Sequence, residues 1–368
     1  MADNLRVSYS SVQDWRQCQQ LYWYRYVLGL RPKVKAPALQ LGTMFANYLE
    51  WYYGPLIKPK FRVTKSNLAK LHRNAVKKVA RTYGDEIQAV AALADAADAA
   101  ETAATLRQLP ETVRVLAEAY HRVHGIDDLR QHKIIAVEQK FELPVADGIV
   151  LPGRIDMITK TSDGYWLWEH KTTKSVPEQG RRFRDLQTLI YRVAVEEIFH
   201  VELAGIIWNY VRTVRPTAPA VLKNGTLSVA KDQVTTYDLY VEEIMKQGLV
   251  TNDYEPYLRH IEERERMRMF PRHTLPLAQS EQILLRDYVA TARDIQVARA
   301  QEDFVPVRNV AMHCDWCPFS KLCQIAIIGG DEDDVIRRHF DERDKEEEGD
   351  LDGKRVDEEV EELLSAID

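Results

Sequence analysis

Four cysteines in 368 residues are too few and too unevenly spread for a disulfide-stapled scaffold. Sixteen glycines and fifteen prolines exclude collagen-like and low-complexity chains, and a 45% hydrophobic content excludes a wholly disordered one. No run approaches the roughly 20 apolar residues that span a bilayer, so no membrane partner is expected. The start, Met1-Ala2-Asp3-Asn4-Leu5, lacks a basic stretch followed by an apolar one, which points to a cytoplasmic protein. There is no internal repeat and no glycine-rich phosphate loop.

The net charge of -6 conceals an asymmetry. Residues 331–368 carry 18 acidic and six basic side chains, a net of -12, which leaves the preceding 330 residues at +6. A mildly cationic body with an acidic, flexible tail suits a polyanion binder better than the overall charge suggests.

Helical spacing of Val12, Trp15, Cys18, Leu21 and Tyr22 predicts a helix from about residue 11 into the late twenties, and a second runs over 38–53 until Gly54-Pro55. Residues 66–124 are rich in Ala, Leu, Lys and Arg and read as helical, with Pro110 starting a last helix and Gly125 ending it. The period then changes to two. Segments 134–143, 149–160 and 165–171 read as an antiparallel meander turned at Asp147-Gly148 and Asp163-Gly164, followed by a helix over 184–200, a strand over 205–212, and helices over 237–246 and 281–300. The expected organisation is 1–60, N-terminal helices with the first cysteine; 61–130, a helical cap; 131–215, an α/β core; 216–305, a helical and mixed extension; 306–328, a cysteine segment; and 329–368, the acidic tail.

With Asp163-Gly164 as a two-residue turn, Asp156 stands opposite Lys171, and Asp156, Glu169 and Lys171 share one sheet face while His170 points to the other. Two carboxylates can hold Mg2+ or Mn2+, which activates water against a phosphodiester, while a lysine positions or deprotonates that water. The competing reading is a solvated face with an Asp156–Lys171 ion pair. Gln187 and Tyr191 are i, i+4 neighbours on the next helix. The cysteines fall as C-x2-C-x5-C at Cys314, Cys317 and Cys323, with Cys18 far upstream, a spacing that fits zinc, an iron-sulfur cluster or merely buried thiols.

In order, Gly153-Arg154-Ile155-Asp156, Glu169-His170-Lys171-Thr172 and Gln187 to Tyr191 resemble the motifs of the PD-(D/E)XK nuclease superfamily, specifically its RecB-like and CRISPR-associated exonuclease branch. The resemblance implies an α/β restriction-endonuclease-like core, a mixed sheet with flanking helices, beneath a helical cap. It implies Mg2+ or Mn2+ held by Asp156, Glu169 and the backbone carbonyl of His170, a catalytic Lys171, and Gln187 with Tyr191 organising the site. One cysteine before the motifs and three after them are similar to the branch's 4Fe-4S staple, which would tie Cys18 to Cys314, Cys317 and Cys323, with zinc as the alternative. Expected partners are DNA, single-stranded or with free ends, and proteins of recombination or CRISPR adaptation, in an enzyme of recombination, repair, phage replication or spacer acquisition; the chain could form oligomers.

One position departs from that pattern. Where the branch has a metal-binding histidine four residues after Gly42, this chain has Ala46, which offers no ligand. Either the histidine has been replaced deliberately, or it is lost naturally and Asn47, Glu50 or water fills the gap. The alternative function is then a non-catalytic DNA-binding or assembly module that keeps the fold. Lys174, Arg181, Arg182 and Arg184, directly after the motif strand, are the expected DNA-binding residues.

Overall fold

The computed structural model describes residues 4–342 except 59–60, 97–98, 183–184 and 276–280. Residues 343–368, most of the acidic tail, lie outside the described residues. In chain order the elements begin with β1 (Leu5–Arg6), α1 (Tyr9–Gln17), α2 (Gln19–Tyr22), a π-helical turn at Trp23–Val27, β2 (Leu30–Pro32) and α3 (Pro37–Tyr53). Two long helices, α4 (Lys65–Ala96) and α5 (Ala100–Gln131), precede β3 (Lys133–Ala146), β4 (Ile149–Thr161) and β5 (Gly164–Thr173). Then come α6 (Gln179–Arg182), α7 (Leu186–Phe199), β6 (Leu203–Arg212), α8 (Tyr237–Lys246), α9 (Glu255–Arg264), a π-helical turn at Glu265–Met269, β7 (Arg272–Leu275), α10 (Glu281–Ala300), α11 (Ser320–Ile327), α12 (Glu332–His339) and β8 (Phe340–Glu342).

The main sheet is mixed. β3, β4 and β5 form the expected antiparallel meander, β1 lies parallel to β4, β6 returns parallel to β5 through α7, and β7 closes the far edge antiparallel to β6. Apolar residues sort to both sides. Met157, Trp168, Ile207 and Val211 pack under α3, α4 and α5, whereas Ile158, Leu167, Ile206 and Trp208 face α1, α7 and α10. Burial on both sides is what a near-continuous apolar strand such as β6 requires. The expected restriction-endonuclease-like arrangement of a mixed sheet flanked by helices is therefore present.

Three local expectations change. The first helix breaks at Cys18, whose extended backbone (φ -167°, ψ 117°) separates α1 from α2. Pro110 lies inside α5 rather than at its start, and the helix runs on through Gly125 to Gln131. The second turn centres on Ser162-Asp163, because Thr161 pairs with Gly164 and the Thr161 hydroxyl accepts the Asp163 N–H at 3.1 Å.

The iron-sulfur staple is corrected. Cys18, Cys314, Cys317 and Cys323 are free and half-buried, and among the described residues no group of three or more His, Cys, Asp or Glu side chains could hold a metal ion. Neither the 4Fe-4S cluster nor zinc is supported, and Cys18, Cys317 and Cys323 pack as small apolar side chains against a separate core of Leu21, Tyr24, Leu30, Phe319, Leu322, Val335 and Phe340. This core joins the early and late parts of the chain without metal. The β2–β8 ribbon pairs Leu30 with Glu342 and Pro32 with Phe340. The Lys33 ammonium donates to the Arg337 carbonyl at 2.6 Å, and Asn309 donates to the Gln17 carbonyl at 2.9 Å.

Among the described residues no helix is long and apolar enough to cross a membrane.

Candidate active site

The hairpin that carries the motif residues is pinned by one glycine. A Cβ at Gly153 would lie 2.3 Å from the Phe141 ring, so only glycine lets that ring cross the strand. Phe141 in turn meets Tyr191 edge to face, with ring centroids 5.2 Å apart. Gly42 serves the same end on α3, where a Cβ would stand 2.9 Å from Thr172 Oγ1 and hold the helix off β5. Ala46, one helical turn on from Gly42, lies on that same face.

The turn position moves the register by two residues from the expected one. β4 and β5 pair Ile158 with Leu167 and Met157 with Trp168, so Asp156 stands opposite Glu169 rather than Lys171. An even shift leaves each side chain on its face, and Asp156, Glu169 and Lys171 still converge. Beyond Met157 the ladder opens, and the Asp156 carboxylate substitutes for a backbone acceptor: it takes the His170 N–H at 2.7 Å. Lys171 ion-pairs with Glu169 and donates to Gln187 Oε1 at 2.7 Å. α7, capped by Asp185 through the Thr188 N–H at 3.1 Å, sets Gln187 and Tyr191 over this cluster.

Burial pushes both carboxyls above their ordinary range. For Asp156 the neighbouring charges of Glu169 and Glu138 add to the rise, against the His170 N–H and Lys171. For Glu169, Lys171 opposes the shift. Burial alone would pull Lys171 down, but the adjacent Glu169 and Asp156 carboxylates raise it overall, so it is an ammonium donor at neutral pH. In this arrangement it holds the Glu169 carboxylate and Gln187 Oε1 in place.

A residue absent from the expected set also faces the cluster. Glu138 on β3 is flanked by pairs that place it opposite Asp156, has a left-handed backbone (φ 51°) rare for a side chain of its size, and pairs with Arg154 at 3.4 Å. Burial, then Glu50 and Glu169 against Arg154, raises its carboxyl to about 7. An acid inside the apolar run from Ile134 to Leu143 was the available signal, but its register could not be counted from the turn.

The opposite face of β5 rests on a polar network. His170 Nδ1 accepts from Asn209 Nδ2 at 2.9 Å, Asn209 Oδ1 accepts from Arg272 Nε at 2.9 Å, and Arg272 ion-pairs with Asp128 of α5. Burial, then the Arg272 charge, lowers the His170 imidazole to about 3, so it is neutral.

The residues do not complete the expected Mg2+ or Mn2+ site. One Glu169 oxygen, Oε2, is buried without a partner and could accept a cation. Yet Ala46 supplies nothing, and among the described residues no group of three or more His, Cys, Asp or Glu side chains could hold a metal ion. Of the expected DNA-binding residues, Lys174 is exposed beside the cluster and Arg182 donates to the Pro177 carbonyl at 2.5 Å. The Arg181 side chain and Arg184 lie outside the described residues.

No curated protein matches the chain. The family model of the PD-(D/E)XK nuclease superfamily matches residues 6–324, from β1 through the last cysteine, and the chain belongs to that superfamily.

Proposed function

We propose that the chain is a nuclease-fold module that binds DNA without cutting it by itself. The observation that carries this reading is Ala46: on the α3 face turned to β5 it offers no ligand beside the Asp156–Glu169 pair, and among the described residues no group of three His, Cys, Asp or Glu side chains could hold a metal ion. The acids then keep Lys171 and Gln187 in position, while cations after β5, such as Lys174 and Arg182, meet the phosphates.

A second reading, hydrolysis of DNA ends by the same cluster, is favoured by one observation. Asp156, Glu169, Lys171 and Gln187 remain in contact around the unpartnered, buried Glu169 Oε2, a costly arrangement for a purely structural face. One experiment separates the two. Labelled linear single- and double-stranded DNA is titrated in chelator for binding, then incubated with Mg2+ or Mn2+ for cleavage, using the natural chain, Ala46→His and Asp156→Ala. Binding without cleavage by the natural chain, with cleavage appearing in Ala46→His, is the expected result. Cleavage by the natural chain that Asp156→Ala abolishes establishes the second reading instead, and absence of DNA binding overturns the first.

A further inference from the structure

A cleft of about 220 Å3 opens where β6 ends, and Arg212, Lys231, Arg264 and Arg268 converge on it around a single acid, Asp232. Two of these cations hold the fold. Arg264 donates to the carbonyls of Lys231, Gln233 and Thr235 at 3.1, 2.6 and 3.0 Å, and Arg212 donates to the Lys174 carbonyl at 3.2 and 3.1 Å. The other two are exposed, and among the described residues neither the Lys231 ammonium nor the Arg268 guanidinium has a hydrogen bond or ion pair. Four cations around one acid in a concave surface repel one another and concentrate positive potential, which an anion relieves.

The position of the cleft narrows the anion. β5 and β6 run parallel with Lys171 beside Tyr210 and Thr173 beside Arg212, so Arg212 lies two residues, about 7 Å, beyond Lys171 along the strands. By strand alternation it shares a sheet face with Tyr210, the register partner of Lys171. Its bonds to the Lys174 carbonyl also tie the cleft to the segment leaving the acid–lysine cluster. Met269 at the cleft packs in the core under α3, α4 and α5, so a polyanion lying over the cluster reaches the cleft by passing round the C-terminal ends of β5 and β6.

We propose that this cleft holds a backbone phosphate of a nucleic-acid strand that passes over the Asp156–Glu169–Lys171 cluster. The proposal rests on the DNA-binding reading and extends it to a specific contact. Lys231 and Arg268 donate to the phosphate oxygens, while Arg212 and Arg264 supply fixed charge behind them.

The test compares the natural chain with Lys231→Ala/Arg268→Ala, which leaves both fold-holding arginines intact, in titrations with labelled single-stranded DNA across a salt series; matched thermal midpoints establish folding. The expected result is a roughly tenfold loss of affinity, the scale of one lost charge-assisted contact, with the log–log salt slope shallower by about 0.7 for the one lost phosphate contact. Unchanged affinity and slope in the variant, with the natural chain binding normally, overturns the cleft but not the DNA-binding reading. Absence of binding by the natural chain overturns both. A variant that loses only its affinity for inorganic phosphate marks a free-anion site and overturns the proposal as well.

Discussion

Glu138 concentrates the energetics of the site in one residue. Its carboxyl is raised to about 7 chiefly by burial, whereas an unfolded-chain glutamate titrates near 4.3. The folded state therefore binds the extra proton between about pH 4.3 and 7. Its stabilising contribution is full below that window and is lost as pH rises through it. Glu138→Gln should accordingly leave stability unchanged at pH 4 and raise it at pH 8 by up to about 4 kcal/mol. Urea unfolding of both chains at the two pH values checks this, and equal differences at both would refute it. His124 runs the other way. Burial lowers it to about 4, and its Nε2 lies 3.0 Å from the Phe270 carbonyl, an acceptor that requires the proton on that nitrogen. The native state prefers neutral imidazole, so this contribution is complete above about pH 6.5 and lost as pH falls toward 4. His124→Asn should flatten the pH dependence of stability within that window, and an unaltered slope in urea titrations would count against it.

Between elements, the contacts that aim the motif residues are steric at one end and ionic at the other. Gly153→Ala would drive a methyl group into the Phe141 ring and displace β3 from β4 beside Asp156. A loss of about 1–3 kcal/mol, the usual cost of overpacking, is expected in denaturant unfolding. The link from α5 to the back of β5 is the buried Asp128–Arg272 pair, with the Asp128 side chain only 2% exposed. Asp128→Ala leaves the guanidinium without its counter-charge and should cost about 3–5 kcal/mol, whereas adding Arg272→Met should recover part of that loss. A double-mutant cycle by urea unfolding measures the recovery; its absence would mean the pair contributes no more than packing.

Among the described residues, two buried neutral histidines sit on the helices, whereas in the sheet the neutral His170 on β5 is accompanied by three carboxyls that shift the opposite way. His72 and His124, both lowered to about 4 by burial, sit on α4 and α5, while Asp156, Glu169 and Glu138, all raised, belong to the sheet. Acid therefore weakens the helices, whereas in the sheet the cost of neutral His170 is offset by the raised Asp156, Glu169 and Glu138 carboxyls. Hydrogen exchange at pH 5 should show α4 and α5 losing protection before β4 and β5, and uniform loss would contradict this division.

The sequence determined the local order of the central part: the helices of 38–53 and 66–124, strands β3 to β6 with their two hairpins, α7, α8 and α10, and the face shared by Asp156, Glu169 and Lys171, but not the short strands β1, β2, β7 and β8 or helices α9, α11 and α12. Those follow from period-two alternation and turn residues, and the shared face survived a displaced turn because parity is insensitive to an even shift. Odd shifts are different. The irregularity between Pro144 and Ala146 moves β3 by one residue, bringing Glu138 rather than Gln139 opposite Asp156, and no count from Asp147-Gly148 contains it. The cysteine spacing likewise suggested a metal, but three-dimensional placement decides whether donors converge, and here β2, β8 and an apolar core join the chain's distant parts instead. Spacing along a strand fixes direction; only packing between distant segments fixes what stands across from it.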